Sequence, residues 1–147
     1  MEEAKTARTP PYWEHYPHQA DMGVRGVGHS PAEAFEQAAL AMMAVISDPT
    51  AIRPDAAVSI RCSAPDLELL LVDWLNALVY EMATRGMLFS RFRVTLGDGQ
   101  LQGTARGEQV AAERHERAVE VKGATYTDLH VIERDDGTWV AQCVVDV

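Results

Sequence analysis

The stretch PHQADMGVRGVGHSPAEAFEQAALAMMAVISD, residues 17–48, carries the strongest local signals in the chain. Met22–Gly28 is rich in glycine and partly alternates apolar with polar positions, which predicts a strand with a bend or bulge. Ser30-Pro31-Ala32-Glu33 is a capping box with proline at the first helical position, and it predicts a helix that ends at Ser47-Asp48-Pro49. Alanines on the apolar side of this helix predict close packing on a sheet. An acid, Asp21, therefore precedes this strand–helix unit, and a second acid, Asp48, follows it.

Working outward from this stretch, the pattern predicts one more helix and several short strands. Asp66 is placed to cap a helix over Leu67–Arg85, which Gly86 ends. The segments before and after the two helices alternate apolar and polar residues, which is typical of strands. The predicted strands are Tyr12–Tyr16, Ala57–Cys62, a hairpin turning at residues 97–99, residues 118–124, and a closing hairpin over residues 128–146. The order β-β-α-β-α-β-β-β-β-β predicts an α+β fold, a single-domain sandwich of two helices packed on a mixed or antiparallel β-sheet system.

Length and charge limit the class of protein. The chain has 147 residues, 47% of them hydrophobic, which suits one domain with one core. We expect a flexible N-terminal tail over residues 1–11 and a single domain over residues 12–147. The net charge of −9 argues against a protein that holds long nucleic acid by neutralising phosphates, because such proteins carry a basic face. The same charge suits a divalent cation, a basic protein partner, or simply solubility.

The two cysteines and the absence of apolar runs indicate the compartment. Cys62 and Cys143 both lie in strand-like segments and have no CxxC spacing, so we expect reduced core thiols. The first residues are polar and acidic, which does not resemble a signal peptide. Because no apolar run approaches the roughly 20 residues of a membrane span, the sequence predicts a cytoplasmic protein.

The sequence contains few features that would indicate an enzyme. It has no P-loop, no GxGxxG after a strand, no GxSxG and no HExxH. His15, His18 and Asp21 are three potential zinc ligands, but no further pair completes a four-ligand site, and histidines that serve a turn explain them as well. We therefore expect a protein that is not an enzyme, with a metal-dependent hydrolase as the enzyme alternative.

The carboxylates indicate a metal site more clearly than the histidines do. Asp21 precedes the first well-marked strand, Asp48 ends the first helix, and Asp146 ends the last strand. Each acid alone is explained as a turn former or a solvated end. Together with main-chain carbonyls and the carboxylate of Val147, however, they would suit a hard cation such as Ca²⁺ or Mg²⁺.

Several motifs, in order, resemble the archease family. They are HQADMGVRGVG with AEAFEQAALAM, DLELLLVDWLNALVYEM with LFSRFRV, then GE, RHERAVEVKGATY and a final VVDV. The resemblance covers residues 12–147, and the order of the motifs makes it specific. This chain departs from the family pattern at Gln19, where threonine is usual, and at Thr127, where histidine is usual.

The resemblance implies a function and a partner. Archeases are non-enzymatic cofactors of RtcB-type, GTP- and metal-dependent RNA ligases, which join a 3′-phosphate or 2′,3′-cyclic phosphate end to a 5′-hydroxyl end. They promote guanylylation of the ligase and its multiple turnover in tRNA splicing and RNA repair. A chaperone-like modulator of another RNA-processing enzyme, such as a tRNA methyltransferase, is the alternative role associated with the family. In either role we expect a protein partner, with no stable nucleic-acid binding by the chain itself and no membrane.

The resemblance also implies a divalent cation, typically Ca²⁺, with Mg²⁺ or Mn²⁺ as alternatives. Its ligands carry over to Asp21, Asp146 and the C-terminal Val147, and Asp48 matches a nearby acidic position. For partner contact, the resemblance implies Lys122, with Glu14 and His18 as weaker candidates.

Overall fold

The computed structural model describes residues 8–147. Of the tail predicted for residues 1–11, residues 1–7 lie outside the described residues, and residues 8–11 carry no helix or strand. Within residues 8–147, no helix is both long and apolar enough to cross a membrane.

The elements follow the predicted order, and most bounds differ from prediction by one or two residues. In the described chain they are β1 Tyr12–His18, β2 Asp21–Gly28, α1 Pro31–Ile46, a 3₁₀ turn Pro49–Ala51, β3 Ala56–Ser63, α2 Leu67–Arg85, β4 Met87–Gly97, β5 Gln100–Gln109, β6 Gly123–Ala124, β7 His130–Glu133 and β8 Trp139–Asp146.

The strands form two sheets in which all pairs are antiparallel. The five-stranded sheet has the order β1-β2-β8, and β6 and β7 lie one after the other along the free edge of β8. The three-stranded sheet has the order β3-β5-β4. The α+β fold of two helices on a sheet system is confirmed, and of the two predicted sheet types the antiparallel one is present.

The signals predicted for α1 act as expected at its first turn. Ser30 Oγ accepts a hydrogen bond from the Glu33 N–H at 3.1 Å, and Glu33 Oε1 accepts one from the His29 N–H at 2.7 Å. Glu33 thus reaches back one residue further than in the usual capping box. The helix packs on β2 and β8 of one sheet and on β4 of the other. The two sheets therefore share the apolar face of α1.

Close approach of α1 to β2 depends on Gly26. A Cβ atom built on this residue would lie 2.2 Å from the Ala34 carbonyl oxygen and 2.3 Å from the Ala38 nitrogen. Both are main-chain atoms that cannot turn aside. Glycine on the strand and alanine on the helix together let the two backbones touch.

The second helix completes the core. Asp66 Oδ1 accepts from the Leu69 N–H at 2.8 Å, and Gly86 closes the helix at a φ of 64°. Trp74 on α2 is fully buried, and its indole N–H donates to the Phe35 carbonyl of α1 at 3.1 Å. This bond satisfies the only polar atom of the largest core side chain and joins the two helices.

One strand differs from the sequence prediction by more than one or two residues. The strand predicted for residues 118–124 is reduced to Gly123–Ala124, because the Ala118 N–H donates to the Ile46 carbonyl at the end of α1 rather than to a strand. Residues 107–109 belong to β5. Both cysteines are free thiols, and Cys143 lies in the core as predicted, whereas Cys62 is only partly buried. Burial raises the pKa of Cys143 to about 12 and also raises that of half-buried Cys62.

Candidate functional site

The start of β2 and the end of β8 bring Asp21 and Asp146 together. Strand β2 begins at Asp21 beside the end of β8, and Met22 is paired with Val145. Continuing this register by one residue sets Asp21 opposite Asp146, with both side chains on the same face of the sheet. Residues directly opposite on neighbouring strands have Cβ atoms about 4.5–5.5 Å apart. We call this pair, with Val147, the acid edge.

Val147 is joined to the same edge through its main chain. Its N–H donates to Asp21 Oδ1 at 3.2 Å. Next to it, the Lys122 N–H donates to the Asp146 carbonyl at 2.8 Å, and Gly123 is paired with Asp146. The acid edge is therefore fixed from both sides, by β2 and by the segment that leads into β6.

Asp48 has a separate structural task. Its carboxylate accepts from the Thr50 N–H at 3.0 Å and from the Thr50 hydroxyl at 2.7 Å, which caps the 3₁₀ turn after α1. These two hydrogen bonds hold the pKa of Asp48 below its usual value. Within residues 8–147, no group of three or more His, Cys, Asp and Glu side chains is placed to hold a metal ion. The structure thus brings together Asp21, Asp146 and Val147, while the Asp48 carboxylate is engaged by Thr50.

Of the weaker candidates, His18 lies at the acid edge and Glu14 does not. His18 is paired with Asp21 across the tight β1–β2 turn, so its side chain shares the face of Asp21. Glu14 lies four residues further along β1, about 13 Å away at strand spacing. There Glu14 Oε2 accepts from Arg25 at 2.6 Å, and Arg25 also donates to Gln142 at 2.8 Å. Glu14 is therefore part of a polar network on the sheet surface.

The sequence reasoning missed Asp128. Its Oδ2 lies 3.9 Å from His18 Nε2, which adds an acid to the row that His18, Asp21 and Asp146 form across three strands. Asp128 has a positive φ of 54° in the turn before β7. The only signal in the sequence is the turn-forming pair Thr127-Asp128, which does not indicate what the turn faces.

The zinc alternative loses one of its three candidate ligands. His15 and His18 differ by an odd number of residues along β1, so their side chains lie on opposite faces of the sheet. His15 Nε2 lies 2.7 Å from the Ala41 carbonyl of α1, which is a hydrogen bond to the helix backbone. The ring is thereby committed on the side of the sheet away from Asp21.

Comparison with known protein families gives a match over nearly the whole chain. The model of the Archease protein family matches residues 13–147. A protein named archease from Pyrococcus furiosus is 41% identical over 139 residues, which cover 92% of this chain and 98% of that protein. A protein of the same name from Sulfolobus acidocaldarius is 38% identical over 137 residues, with the same coverage of 92% and 98%.

Solved structures agree on the fold. The solution structure of Methanobacterium thermoautotrophicum protein 1598 superposes with a TM-score of 0.82 at 34% identity, covering 94% of this chain and all 100% of that one. A crystal structure from Thermotoga maritima, described as an archease and possible chaperone, has a TM-score of 0.63 at 22% identity and covers 97% of this chain and 98% of that one. At that identity the Thermotoga structure supports the fold alone.

Proposed function

Because this chain belongs to the archease family, we propose that it is a metal-binding protein cofactor that activates an RtcB-type, GTP-dependent RNA ligase. In this role it promotes guanylylation of the ligase and its multiple turnover, in tRNA splicing or RNA repair. The chain itself performs no chemistry on RNA.

The acid edge is the observation that carries this proposal. Like charges directly opposite on neighbouring strands are destabilising, and the register of Met22 with Val145, continued by one residue, sets Asp21 opposite Asp146. A divalent cation held between them would convert the repulsion into attraction. The donors are carboxylate and main-chain oxygens, which suit a hard cation such as Ca²⁺, Mg²⁺ or Mn²⁺.

The donor set fits a cation that is only partly enclosed. Asp21, Asp146 and the main-chain oxygens of Val147 would hold it, and Asp48 stays a secondary candidate because Thr50 engages its carboxylate. Since Ca²⁺ takes six to eight oxygen ligands, water or a partner protein would supply the remainder. A partly open cation at an exposed edge is suited to contact with another protein's active site.

The role of the edge follows from the chemistry of the ligase. Nucleotidyl transfer depends on placement and on neutralisation of phosphate charge, so a misplaced metal ion slows it strongly. We propose that the acid edge approaches the metal-loaded pocket of the ligase and positions or exchanges the cation there. Lys122 and His18 border this edge and are the proposed contacts with the ligase, with Glu14 as a more distant one.

A protein partner suits this surface better than RNA. The net charge of −9 disfavours direct contact with a phosphate backbone. The second candidate function is the alternative role associated with the archease family, a chaperone-like modulator of another RNA-processing enzyme such as a tRNA methyltransferase.

Joining of a broken RNA tests the proposal directly. The cognate RtcB-type ligase is assayed under multiple turnover with GTP and Mn²⁺, with and without this protein at sub-stoichiometric amounts. We expect turnover to rise, because an activator is reused. An unchanged rate with correctly folded protein would refute ligase activation and favour the second candidate.

A further inference from the structure

A groove of about 940 Å³ lies between the end of α2, the start of β4 and the irregular segment 110–122. We call it the α2–β4 groove. Its apolar lining comes from all three elements and includes Val79, Met82, Met87, Leu88, Val119 and Val121. The volume is near the upper end of the range of about 300–1,000 Å³ that is typical of ligand pockets. It is therefore large enough for several apolar side chains.

The irregular wall of the groove is held in place by specific bonds. Glu108 on β5 accepts two hydrogen bonds from Arg114, at 2.8 and 3.0 Å, and lies 2.9 Å from His115 Nε2. His115 is only 2% exposed. Further along, the Ser47 hydroxyl donates to the Glu116 carbonyl at 2.7 Å, and the Ala118 N–H donates to α1. A segment without helix or strand is thus anchored at successive points, which leaves the groove formed before any partner binds.

The rim of the groove is apolar and cationic. Val119 is 42% exposed although it lines the groove. Arg117 and Lys122 flank it, and none of the ion pairs between residues 8 and 147 involves either of them. Glu120 is the one acid of the lining. Two such cations beside an exposed valine, on a chain with a net charge of −9, favour an occupant that is apolar and acidic.

The groove is continuous with the acid edge. Lys122 lines the groove, and its main-chain N–H donates to the Asp146 carbonyl of the acid edge. On the same flank, Asn76 of α2 bonds to Ala124 of β6, and Tyr80, one turn later on that face of α2, is 64% exposed. Exposed tyrosine, methionine and arginine are the residue types that protein interfaces favour.

We propose that the α2–β4 groove docks an amphipathic segment of the ligase, whose apolar side chains enter the groove and whose carboxylates pair with Arg117 and Lys122. This inference rests on the proposed function for the identity of the partner. Docking there would hold the neighbouring acid edge against the ligase. The groove would then provide binding, and the acid edge would position the metal ion.

A matched pair of surface variants tests the groove. Val119→Glu places a charge in the apolar rim, and Ile132→Glu places the same charge at an apolar residue on β7 that is 50% exposed and does not line the groove. The dissociation constant for the cognate ligase is measured by calorimetry for the wild type and both variants. We expect Val119→Glu to weaken binding about tenfold or more and Ile132→Glu to leave it unchanged. Equal affinities for all three proteins would contradict docking at the groove but not ligase activation. No binding by the wild type would contradict both proposals.

A photo-crosslinker at position 120 then identifies the occupant. We expect it to capture a ligase segment that combines large apolar residues with Asp or Glu. Capture of only a second copy of this chain, or of a ligase segment without acids, would contradict the proposed occupant.

Discussion

Asp21 and Val147 are 126 positions apart in the chain, yet the main-chain N–H of Val147 donates to Asp21 Oδ1 at 3.2 Å. The contact exists because β8 returns antiparallel to β2 and ends where β2 begins. Asp146 consequently lies opposite Asp21 on the neighbouring strand. The acid that precedes the strand–helix unit and the acid that ends the last strand therefore meet at one edge.

Asp21→Asn tests whether this edge holds the cation. Asparagine keeps the Oδ1 acceptor for the Val147 N–H but removes the negative charge. We expect Ca²⁺ affinity, measured by calorimetry, to fall about tenfold or more. Without metal the melting temperature should stay equal or rise, because the repulsion with Asp146 is relieved.

Asp135→Asn is the matched control for this change. Asp135 is exposed in the turn between β7 and β8, so the variant removes the same charge away from the acid edge. Its Ca²⁺ affinity should equal that of the wild type. Equal affinity in all three proteins would show that the cation binds elsewhere.

Lys122→Ala tests partner contact separately from folding. The Lys122 N–H, which donates to Asp146, is kept in this variant, so the melting temperature should not change. We expect the concentration that gives half-maximal ligase stimulation to rise about tenfold. Arg61→Ala, at an exposed cation on the other sheet, should leave stimulation unchanged. Equal loss in both variants would indicate a general charge effect.

The parts of the fold that depend on interactions between neighbouring residues could be predicted from the sequence. Ser30 and Asp66 cap the two helices as predicted, since a capping side chain and its N–H partner lie within three residues. The antiparallel hairpins around residues 19–20 and 98–99 are equally local. Elements defined by neighbours in the chain are those that a single sequence specifies best.

Features defined by distant residues were not predictable in this way. The position of Asp128 beside His18 depends on how the turn before β7 folds back toward β1. The strand predicted at 118–124 is shortened because the Ala118 N–H donates to a carbonyl at the end of α1. The meeting of Asp21 with Val147 was one of two interpretations that spacing left open, because each acid also had a structural explanation, and the family resemblance favoured it.

Gly26→Ala tests the close contact of α1 with β2. The new methyl group would meet two main-chain atoms of the helix, at 2.2 and 2.3 Å, so helix and strand must separate. We expect the free energy of unfolding to fall by about 3 kcal/mol in urea titrations. Gly97→Ala is the control, because a Cβ there has no other atom within 4 Å. A loss as large at Gly97 would mean that replacing a strand glycine by alanine is unfavourable in general, and that the clash is not the cause.

Glu108→Gln tests how firmly the wall of the α2–β4 groove is held. Hydrogen bonds from Arg114, from the Arg53 N–H and from His115 hold the pKa of Glu108 well below its ordinary value of 4.5. A carboxylate whose pKa is lowered by folding stabilises the native state above its unfolded pKa, and this contribution is lost as the pH falls through the native pKa. The variant should therefore unfold at lower urea than the wild type at pH 7.

The pH dependence separates this charge effect from a packing effect. Below pH 4.5 the unfolded chain takes up a proton at Glu108 before the native state does, so the wild type loses the contribution that the variant never had. The gap between the two urea midpoints should accordingly narrow as the pH is lowered from neutral toward the acid range. Glu133→Gln, at an exposed residue of β7, should show no such gap at any pH. A gap for Glu108→Gln that stays constant with pH would mean that side-chain shape, and not the ionised carboxylate, secures the wall.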